Sequence, residues 1–393
     1  MRTSTLGGVA VSLAAAAALV LPSAAAAAGD DRNPGHTALD AGSAATIDAR
    51  LLAKQYGWEP EGTLHYVEES RRFAALAAQL AQQHPESYAG SRFAERPGEV
   101  SVVRFVGQPP EDALALIDRT GIPVKVVEDA KYGEAELQER AKAVHAHLVK
   151  SGFRQVVAAT TTEDVVLATV FGAGDPVLPP DLAEGVKVSI SREPVADDEH
   201  TLGGAPLLVS GTFNCTSGFS VRHDSTGVTG VATAGHCTGL NQYQQPTDGL
   251  TYAMTQQGEH NGLLGDFEWG TTPHIEPAEF FATATQVREV NLVSSLLPEN
   301  TPSCVYGRSS NARACDQVFS NFVIATVNGT TNFFLMAMDS DNTIPGDSGG
   351  PWSFATIADG IHKGDITLGG GRRNMWSRAE LLPFALGVSV RTQ

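Results

Sequence analysis

A serine held between glycines, at residues 346–351, is the part of the sequence best suited to chemistry. The six residues read Gly-Asp-Ser-Gly-Gly-Pro. Glycines allow a tight turn that presents the Ser348 hydroxyl without a neighbouring side chain in the way. In such a turn the N–H groups of Gly346 and Ser348 can converge where the oxyanion of an acyl transfer would develop. Because a serine hydroxyl is a poor nucleophile alone, this hypothesis requires a histidine base and an orienting carboxylate elsewhere.

The histidine best placed to act as the base is His236, in the segment Thr-Ala-Gly-His-Cys at residues 233–237. Small residues favour a turn there, so the imidazole can be presented from a loop. A disulfide from Cys237, with Cys215 as the candidate partner, could fix the backbone beside this base. The neighbours of His236 would therefore position its side chain, which distinguishes it from an arbitrary surface histidine.

The carboxylate should lie between His236 and Ser348 if the order along the chain is His, Asp, Ser. Asp248 and Asp266 are the candidates. Asp248 lies in a Pro-Thr-Asp-Gly stretch, which is typical of a turn with a solvated acid. Asp266 lies in the apolar segment 263–269, where an aspartate is costly to bury unless it is hydrogen-bonded. The sequence therefore favours Asp266.

The composition is that of a secreted globular protein rich in β-structure. Only 18% of the 393 residues are charged, and 40 are glycine, which argues against a disordered chain. The net charge of −17 argues against nucleic acid and against anionic membranes as partners. Residues 1–28 carry a basic start, an apolar run and small residues, which predicts a secretory signal peptide. The four cysteines all follow residue 210 and indicate two disulfides in an oxidising compartment.

Two parts of different composition follow the signal peptide. Residues 29–200 carry no cysteine. After a polar leader at 29–46 they alternate helical and strand patterns, which predicts a small α+β domain. We find no triad, metal cluster or phosphate loop in that sequence. A polar stretch at 193–204 is typical of an exposed linker. Residues 201–393 alternate short β-type runs with turn residues, which predicts a barrel or sandwich with a closing helix at 378–386.

The serine turn, the histidine segment and Asp266 together resemble the chymotrypsin-like serine proteases. The likeness is closest to the secreted bacterial branch of alpha-lytic protease and the streptogrisins, and it covers roughly residues 202–393. Cys304 and Cys315 resemble the ends of the second disulfide hairpin of that branch. The resemblance implies an all-β catalytic domain of two antiparallel six-stranded β-barrels, preceded by a small α+β pro-domain.

The resemblance also implies a mechanism and a route of maturation. Ser348 would attack a peptide carbonyl, with His236 as general base and then general acid. Asp266 would orient the imidazole, and the N–H groups of Gly346 and Ser348 would form the oxyanion hole. Residues 29–200 would be a pro-region that acts as intramolecular chaperone and inhibitor and is cleaved off. The product would be a secreted monomer without a cofactor, acting on peptides and proteins.

Three positions depart from the pattern of that family. No cysteine for a third disulfide precedes the serine turn. Val305 stands where an arginine often pairs with the aspartate beside the nucleophile, so Asp347 needs another partner, for which Arg308 and Arg313 are candidates. Lys363 stands where the family usually has a serine that helps to hold the catalytic aspartate. Activity could be reduced by this last change.

Asn342, Thr343 and His362 are the candidate residues of the pocket for the side chain before the scissile bond. On the resemblance, relatives that cut after glutamate carry a histidine like His362, which can donate to a carboxylate. The simpler interpretation is a half-buried histidine on a strand. Broad or small-apolar specificity, ester hydrolysis by the same triad and a catalytically weakened binding module are the other hypotheses. His260, His274 and His362 lack the spacing of metal ligands, so we expect no metal.

Overall fold

The structure is a computed structural model that describes residues 38–172, 174–191, 196–197, 204–246, 249–273, 276–327 and 329–393. These residues lie within one compact unit, Gly35–Gln393. The predicted signal peptide at 1–28, Asp248 and His274 lie outside the described residues. Within the described ranges, no helix combines the length and the apolar character needed to cross a bilayer.

The N-terminal part of the chain has the α+β character that its sequence predicts. Its helices and strands, in chain order, are α1 Ala41–Tyr56, α2 Pro60–Gln83, β1 Tyr88–Arg92, β2 Ser101–Phe105, α3 Glu111–Arg119, β3 Val124–Val127, α4 Glu134–Lys150, β4 Gln155–Thr160, β5 Val166–Phe171, α5 Pro180–Ala183 and β6 Val186–Ser191. In α4, buried Leu137, Ala141, Val144 and Leu148 recur at helical spacing, which explains why this helix is evident from the sequence.

Helix α1 corrects the prediction of a polar leader, which is wrong from Ala41 onward. The Asp40 carboxylate accepts the N–H of Ser43 at 2.9 Å, so the helix has a capped start. Gly57 ends it with a φ of 70°, a conformation that glycine adopts without strain. The helix buries an aspartate, Asp48, beside small apolar residues, so its pattern along the sequence is weak.

The C-terminal part is built almost entirely of strands. After the two-residue strand β7 Ala196–Asp197, the strands are β8 Pro206–Val209, β9 Thr212–Thr216, β10 Ser220–His223, β11 Thr229–Thr233, β12 Gln242–Gln244, β13 Thr251–Ala253, β14 Thr255–Gly262, β15 Gly265–Thr271, β16 Glu279–Thr283, β17 Gln286–Glu289, β18 Leu292–Val293, β19 Pro302–Gly307, β20 Ala312–Val327, β21 Thr330–Met338, β22 Pro351–Phe354, β23 Ile357–Leu368, β24 Gly371–Arg378 and β25 Val388–Val390. The predicted closing helix is a 3₁₀ turn, Ala379–Leu381, followed by helix α6, Leu382–Leu386.

Six of these strands form a closed antiparallel barrel. β19, β22, β23, β24, β21 and β20 pair in that order, and β20 pairs again with β19. Closure gives each strand of the ring a pairing partner on both sides. The other strands form a five-stranded sheet, β14-β15-β11-β10-β25, and a four-stranded sheet, β13-β12-β8-β9. These two sheets share one hydrophobic core that contains Leu207, Phe219 and Phe267.

The N-terminal part joins the barrel through shared strand pairing. β4 pairs antiparallel with β20, with Ala159 opposite Val323, and β5 and β6 continue the same sheet outward. β7 pairs antiparallel with β23, with Asp197 opposite Gly364. The two parts of the chain are therefore held together by main-chain hydrogen bonds as well as by side chains.

Buried polar contacts reinforce this junction on the side of α1 and α2. Arg71 donates to both carboxylate oxygens of Asp359, at 2.8 and 3.1 Å, and to the carbonyl oxygen of Pro302 at 2.8 Å. The Tyr56 hydroxyl donates to Asp316 Oδ1 at 2.5 Å. Loss of one partner from such a buried pair is costly, because the other charge is then left without compensation.

Candidate active site

The serine turn lies between β21 and β22 and is fixed by main-chain contacts. The N–H of Thr216 donates to the Ser348 carbonyl at 2.8 Å, and the N–H of Gly349 donates to the His362 carbonyl at 2.8 Å. Gly349 has a φ of 85°, and a Cβ atom there would lie 2.1 Å from the Thr216 carbonyl oxygen and from Thr233 Oγ1. Only glycine fits this position, so the turn depends on its sequence.

The three residues that the sequence singled out as a triad lie together. His236 follows β11, which pairs with β15, the strand that carries Asp266. His236 Nδ1 lies 2.5 Å from Asp266 Oδ2, and His236 Nε2 lies 2.9 Å from Ser348 Oγ. Asp266 and Ser348 are fully buried. The geometry is therefore that of a continuous hydrogen-bonded chain from carboxylate to hydroxyl.

The charge state of Asp266 decides where the protons lie in this chain. Burial acts to raise the pKa of Asp266, but Lys363 and then His236 outweigh it and hold that pKa well below its usual range. An ionised carboxylate can only accept, so His236 Nδ1 donates to it and Nε2 is left as the acceptor for the Ser348 hydroxyl. This is the arrangement required of a base that removes the serine proton.

Lys363 forms a buried ion pair with the same carboxylate. Its Nζ donates to Asp266 Oδ2 at 2.9 Å, and its side chain is only 2% exposed. His236 and Lys363 thus share one oxygen, whereas the other, Oδ1, is buried without a hydrogen-bond partner among the described residues. The Lys363 carbonyl oxygen lies 3.1 Å from Ser348 Oγ and is a second, more distant acceptor for the one hydroxyl proton that faces His236 Nε2. Lys363 thus contacts Asp266 from the position where the resemblance expects a serine that holds this aspartate, but the sequence did not predict an ion pair there.

A second acid, Glu268, lies two residues beyond Asp266 on β15 and is fully buried. Burial raises the pKa of Glu268 to about 8, and the charges of Glu259 and Asp266 act in the same direction. Glu268 therefore keeps its proton at neutral pH and adds no negative charge beside Asp266. Sequence analysis did not identify this residue, because nothing in the sequence of β15 shows that both faces of the strand are buried.

The candidate pocket contains a directed series of hydrogen bonds. The Trp352 indole N–H donates to His362 Nδ1 at 3.2 Å, which leaves the proton of the neutral imidazole on Nε2. His362 Nε2 lies 3.1 Å from Thr343 Oγ1, and Asn374 Nδ2 donates to the same oxygen at 2.6 Å. His362 is fully buried. Trp352 and Asn374 were not predicted to take part, since neither belongs to a local motif.

Asn342, the third predicted pocket residue, lies beside this series of hydrogen bonds and contacts it through Asn374. Its N–H donates to Asn374 Oδ1 at 2.8 Å, and its side-chain Nδ2 donates to Ser340 Oγ at 2.9 Å. The residue is half-buried. Asn342 therefore orients Asn374, which in turn donates to Thr343.

Asp347 is held by the main chain of the neighbouring hairpin. Its Oδ1 accepts the N–H groups of Ser309 and Ser310 at 2.9 and 3.1 Å, and its Oδ2 accepts the N–H of Ile344 at 3.1 Å. Gly307 leaves the space for it, because a Cβ atom there would lie 2.0 Å from Asp347 Cγ. The prediction that Arg313 pairs with Asp347 is wrong, because the Arg313 guanidinium pairs with the carboxylate of Asp48 in α1 instead.

All four cysteines are paired. The structure has the disulfide Cys215–Cys237, the pairing considered from the sequence, and Cys304–Cys315, the pairing that the resemblance implied. The first ties β9 to the loop that carries His236, and the second joins facing residues of β19 and β20. Both therefore fix main chain close to residues of the candidate site.

Comparisons with known proteins add a likeness of fold. No protein-family model and no curated protein matches the chain. Among solved structures, the chain is similar to a glutamic acid-specific serine protease that uses a histidine triad in substrate binding, with 17% identity over 49% of this chain and 100% of that one and a TM-score of 0.40. It is similar to the chymotrypsin of Cellulomonas bogoriensis, with 21% identity, coverage of 49% and 99% and a TM-score of 0.39. It is also similar to a Nocardiopsis protease, with 19% identity, coverage of 50% and 100% and a TM-score of 0.39. About half of the chain thus resembles bacterial chymotrypsin-like proteases, and at these values the likeness concerns the fold.

Proposed function

We propose that the chain is a secreted serine endopeptidase made as an inactive precursor. The observation that carries this proposal is the hydrogen-bonded chain of 2.5 and 2.9 Å from Asp266 through His236 to Ser348. Residues 201–393 would be the protease, residues 29–200 its pro-region and residues 1–28 its signal peptide. Peptides and proteins would be its substrates.

The geometry supports acyl transfer through a covalent intermediate. Ser348 Oγ would attack the scissile carbonyl carbon while its proton passes to His236 Nε2. Asp266 would stabilise the imidazolium, and the N–H groups of Gly346 and Ser348 would donate to the new oxyanion. Collapse of the tetrahedral intermediate would break the C–N bond, and His236 would give its proton to the leaving amine. Water would then hydrolyse the acyl-enzyme by the same route, which regenerates the Ser348 hydroxyl.

The strand before the interdomain junction supports inhibition in the precursor. β7 pairs with β23 directly after Lys363, the residue whose carbonyl oxygen lies 3.1 Å from Ser348 Oγ. An extended substrate that adds to β23 by main-chain hydrogen bonds would need the position that β7 occupies. β7 would therefore exclude substrates until the chain is cut. The sequence that follows β7, Asp-Glu at 198 and 199, offers acidic residues for that cut.

The pocket supports a preference for glutamate before the scissile bond. Thr343 Oγ1 accepts from Asn374, and it lies against the protonated Nε2 of His362. A hydroxyl oxygen that accepts twice keeps its own proton to donate, and a substrate carboxylate is the strongest acceptor for it. Broad or small-apolar specificity is the alternative for the same fold.

The experiment that tests the protease proposal follows maturation by intact mass. We expect the full-length wild type to be cut near residues 196–200 and to react with an organophosphonate, because both processes use the Ser348 nucleophile. The matched Ser348→Ala variant should stay full length and unlabelled under the same conditions. A wild type that stays intact and unlabelled, or a Ser348→Ala variant that processes at the same rate, would refute the proposal.

Glu299 is expected to make the contact between the two parts less stable as pH rises. Thr162 of the N-terminal part donates to Glu299 from its N–H at 2.9 Å and from its hydroxyl at 2.8 Å. Burial raises the pKa of Glu299 to about 7, although Thr162 acts to lower it. A raised pKa means that this stabilisation is complete below the ordinary pKa of about 4.5 and is lost as pH rises through about 7.

We expect the Ser348→Ala precursor to lose about 3 kcal/mol of unfolding free energy through this residue between about pH 4.5 and pH 8. Urea unfolding of this precursor at several pH values measures the loss of unfolding free energy. Glu299→Gln is the matched control, because its amide stays neutral and can still contact Thr162. Equal pH slopes for the two proteins would show that Glu299 does not contribute.

A further inference from the structure

A second buried polar cluster lies at the junction of the two parts, away from the triad. Its centre is Asp48 of α1, which is fully buried. Arg288 donates to both carboxylate oxygens at 2.7 and 3.0 Å, and Arg313 does so at 2.7 and 2.8 Å. The N–H of Ala355 donates to Asp48 Oδ2 at 2.8 Å. One carboxylate from the N-terminal part thus receives five donors from the C-terminal part.

The C-terminal part holds both arginines in place by itself. Gln286 Oε1 accepts from Arg288 Nε at 3.0 Å and from its Nη2 at 2.8 Å. The carbonyl oxygen of Ser353 and its Oγ accept from Arg313 Nη2 at 3.1 and 3.0 Å. These contacts involve no residue of α1. Gln286 and Ser353 therefore orient the two guanidinium groups independently of α1.

The cluster has an excess of positive charge and of donors. Two guanidinium groups face one carboxylate, so the net charge is +1. Burial acts to raise the pKa of Asp48, but Arg313 and then Arg288 outweigh it and keep the carboxyl ionised. Arg313 Nη1 is buried and has no acceptor among the described residues. Without Asp48, two adjacent buried cations would lack any anion, which is strongly unfavourable.

We propose that Arg288, Arg313 and the Ala355 N–H form a carboxylate-binding site of the C-terminal part, which Asp48 fills in the precursor. The ligand after maturation would be an aspartate or glutamate side chain presented by another protein, because a helical aspartate is the occupant here. That the site becomes vacant rests on the proposed removal of the pro-region. The ability of the site to bind a carboxylate does not depend on that removal.

Chemical rescue tests the site in the full-length chain. We compare Asp48→Ala with its parent in a Ser348→Ala background, so that processing and protease activity play no part. Asp48→Ala should lower the thermal midpoint by about 5 K, because both arginines lose their counter-ion. Acetate, the probe for the missing side chain, should raise that midpoint by about 2 K over chloride at equal ionic strength when it exceeds its Kd tenfold. If the variant does not fold in chloride, the recovery of folded protein on refolding in acetate replaces the midpoint as the measurement.

The double variant Asp48→Ala, Arg288→Met is the matched control and should show no effect specific to acetate. Equal midpoints of Asp48→Ala in acetate and chloride would overturn the proposal, as would rescue that persists in the double variant. Stabilisation by inorganic phosphate but not by acetate would assign the site to phosphoryl groups and overturn it for carboxylates. None of these outcomes depends on whether the chain is a protease.

Discussion

Replacement of Asp266 by asparagine is expected to lower kcat/KM for peptide hydrolysis by about 10⁴-fold. The carboxylate accepts from His236 Nδ1 at 2.5 Å and so leaves Nε2 as the acceptor for Ser348. An amide N–H at this position would donate to Nδ1 instead, which puts the imidazole proton on Nε2 and removes the base. The first-order rate of precursor processing and the hydrolysis of a peptide ester measure the loss.

The same substitution is expected to destabilise the fold by about 3–5 kcal/mol, because the buried Lys363 ammonium loses its carboxylate. In Asp266→Asn, Lys363→Met the charge is gone, so the thermal midpoint should recover while activity stays low. A double variant that regained activity would mean that Asp266 serves only to balance Lys363. A single variant within about tenfold of the wild-type rate would contradict the orienting role.

Replacement of His362 by leucine is expected to reduce the preference for glutamate over alanine before the scissile bond by about 10²-fold. A hydrogen bond to a charged group is worth about 1.5–3 kcal/mol, and leucine removes the Nε2–H that donates to Thr343 and so directs the Thr343 proton to the substrate carboxylate. The ratio of kcat/KM for matched Glu and Ala peptides measures the change. The Ala peptide serves as the internal control, since its turnover does not need a donor in the pocket.

Thr343→Val provides a second substitution in the same series, with nearly unchanged volume. It should shift the ratio in the same direction by about 10²-fold as well, because the hydroxyl that donates to the substrate carboxylate is lost. Trp352→Phe should have the smallest effect. It removes the N–H that fixes the tautomer of His362, but it leaves the Thr343 hydroxyl in place. A wild type that does not prefer glutamate over alanine would refute the hypothesis that this pocket selects glutamate. Equal losses for Glu and Ala peptides would reduce His362 to a packing role.

The three residues of the hydrogen-bonded series from Asp266 to Ser348 could be singled out in the sequence because their constraints are local. The serine turn needs glycine at position 349, where φ is 85° and two oxygens leave no room for a side chain. His236 lies beside a cysteine in a turn of small residues. Asp266 could be favoured over Asp248 because its neighbours are apolar, and the structure places Asp266 beside His236.

The features that could not be predicted depend on partners far away in the chain. Helix α1 buries an aspartate that is satisfied by Arg313, 265 residues later. The same contact explains why Arg313 is not the partner of Asp347. Lys363 meets Asp266 across 97 residues, and only the resemblance, not the sequence of its own strand, connected the two positions. Hydrophobic periodicity reports which side of an element is buried, but it does not report which charges meet there.

The extension of β20 beyond the closed barrel has a consequence for the form that remains after cleavage. Residues 323–326 of β20, with the sequence Val-Ile-Ala-Thr, pair with β4 on one side. If the N-terminal part departs, these residues become an edge strand of β-branched and apolar type with open N–H and C=O groups. Such an edge is a template for pairing with another chain and for aggregation. Maturation would therefore move the open edge of this sheet from β6 to β20, and the apolar β20 edge would have to resist self-association.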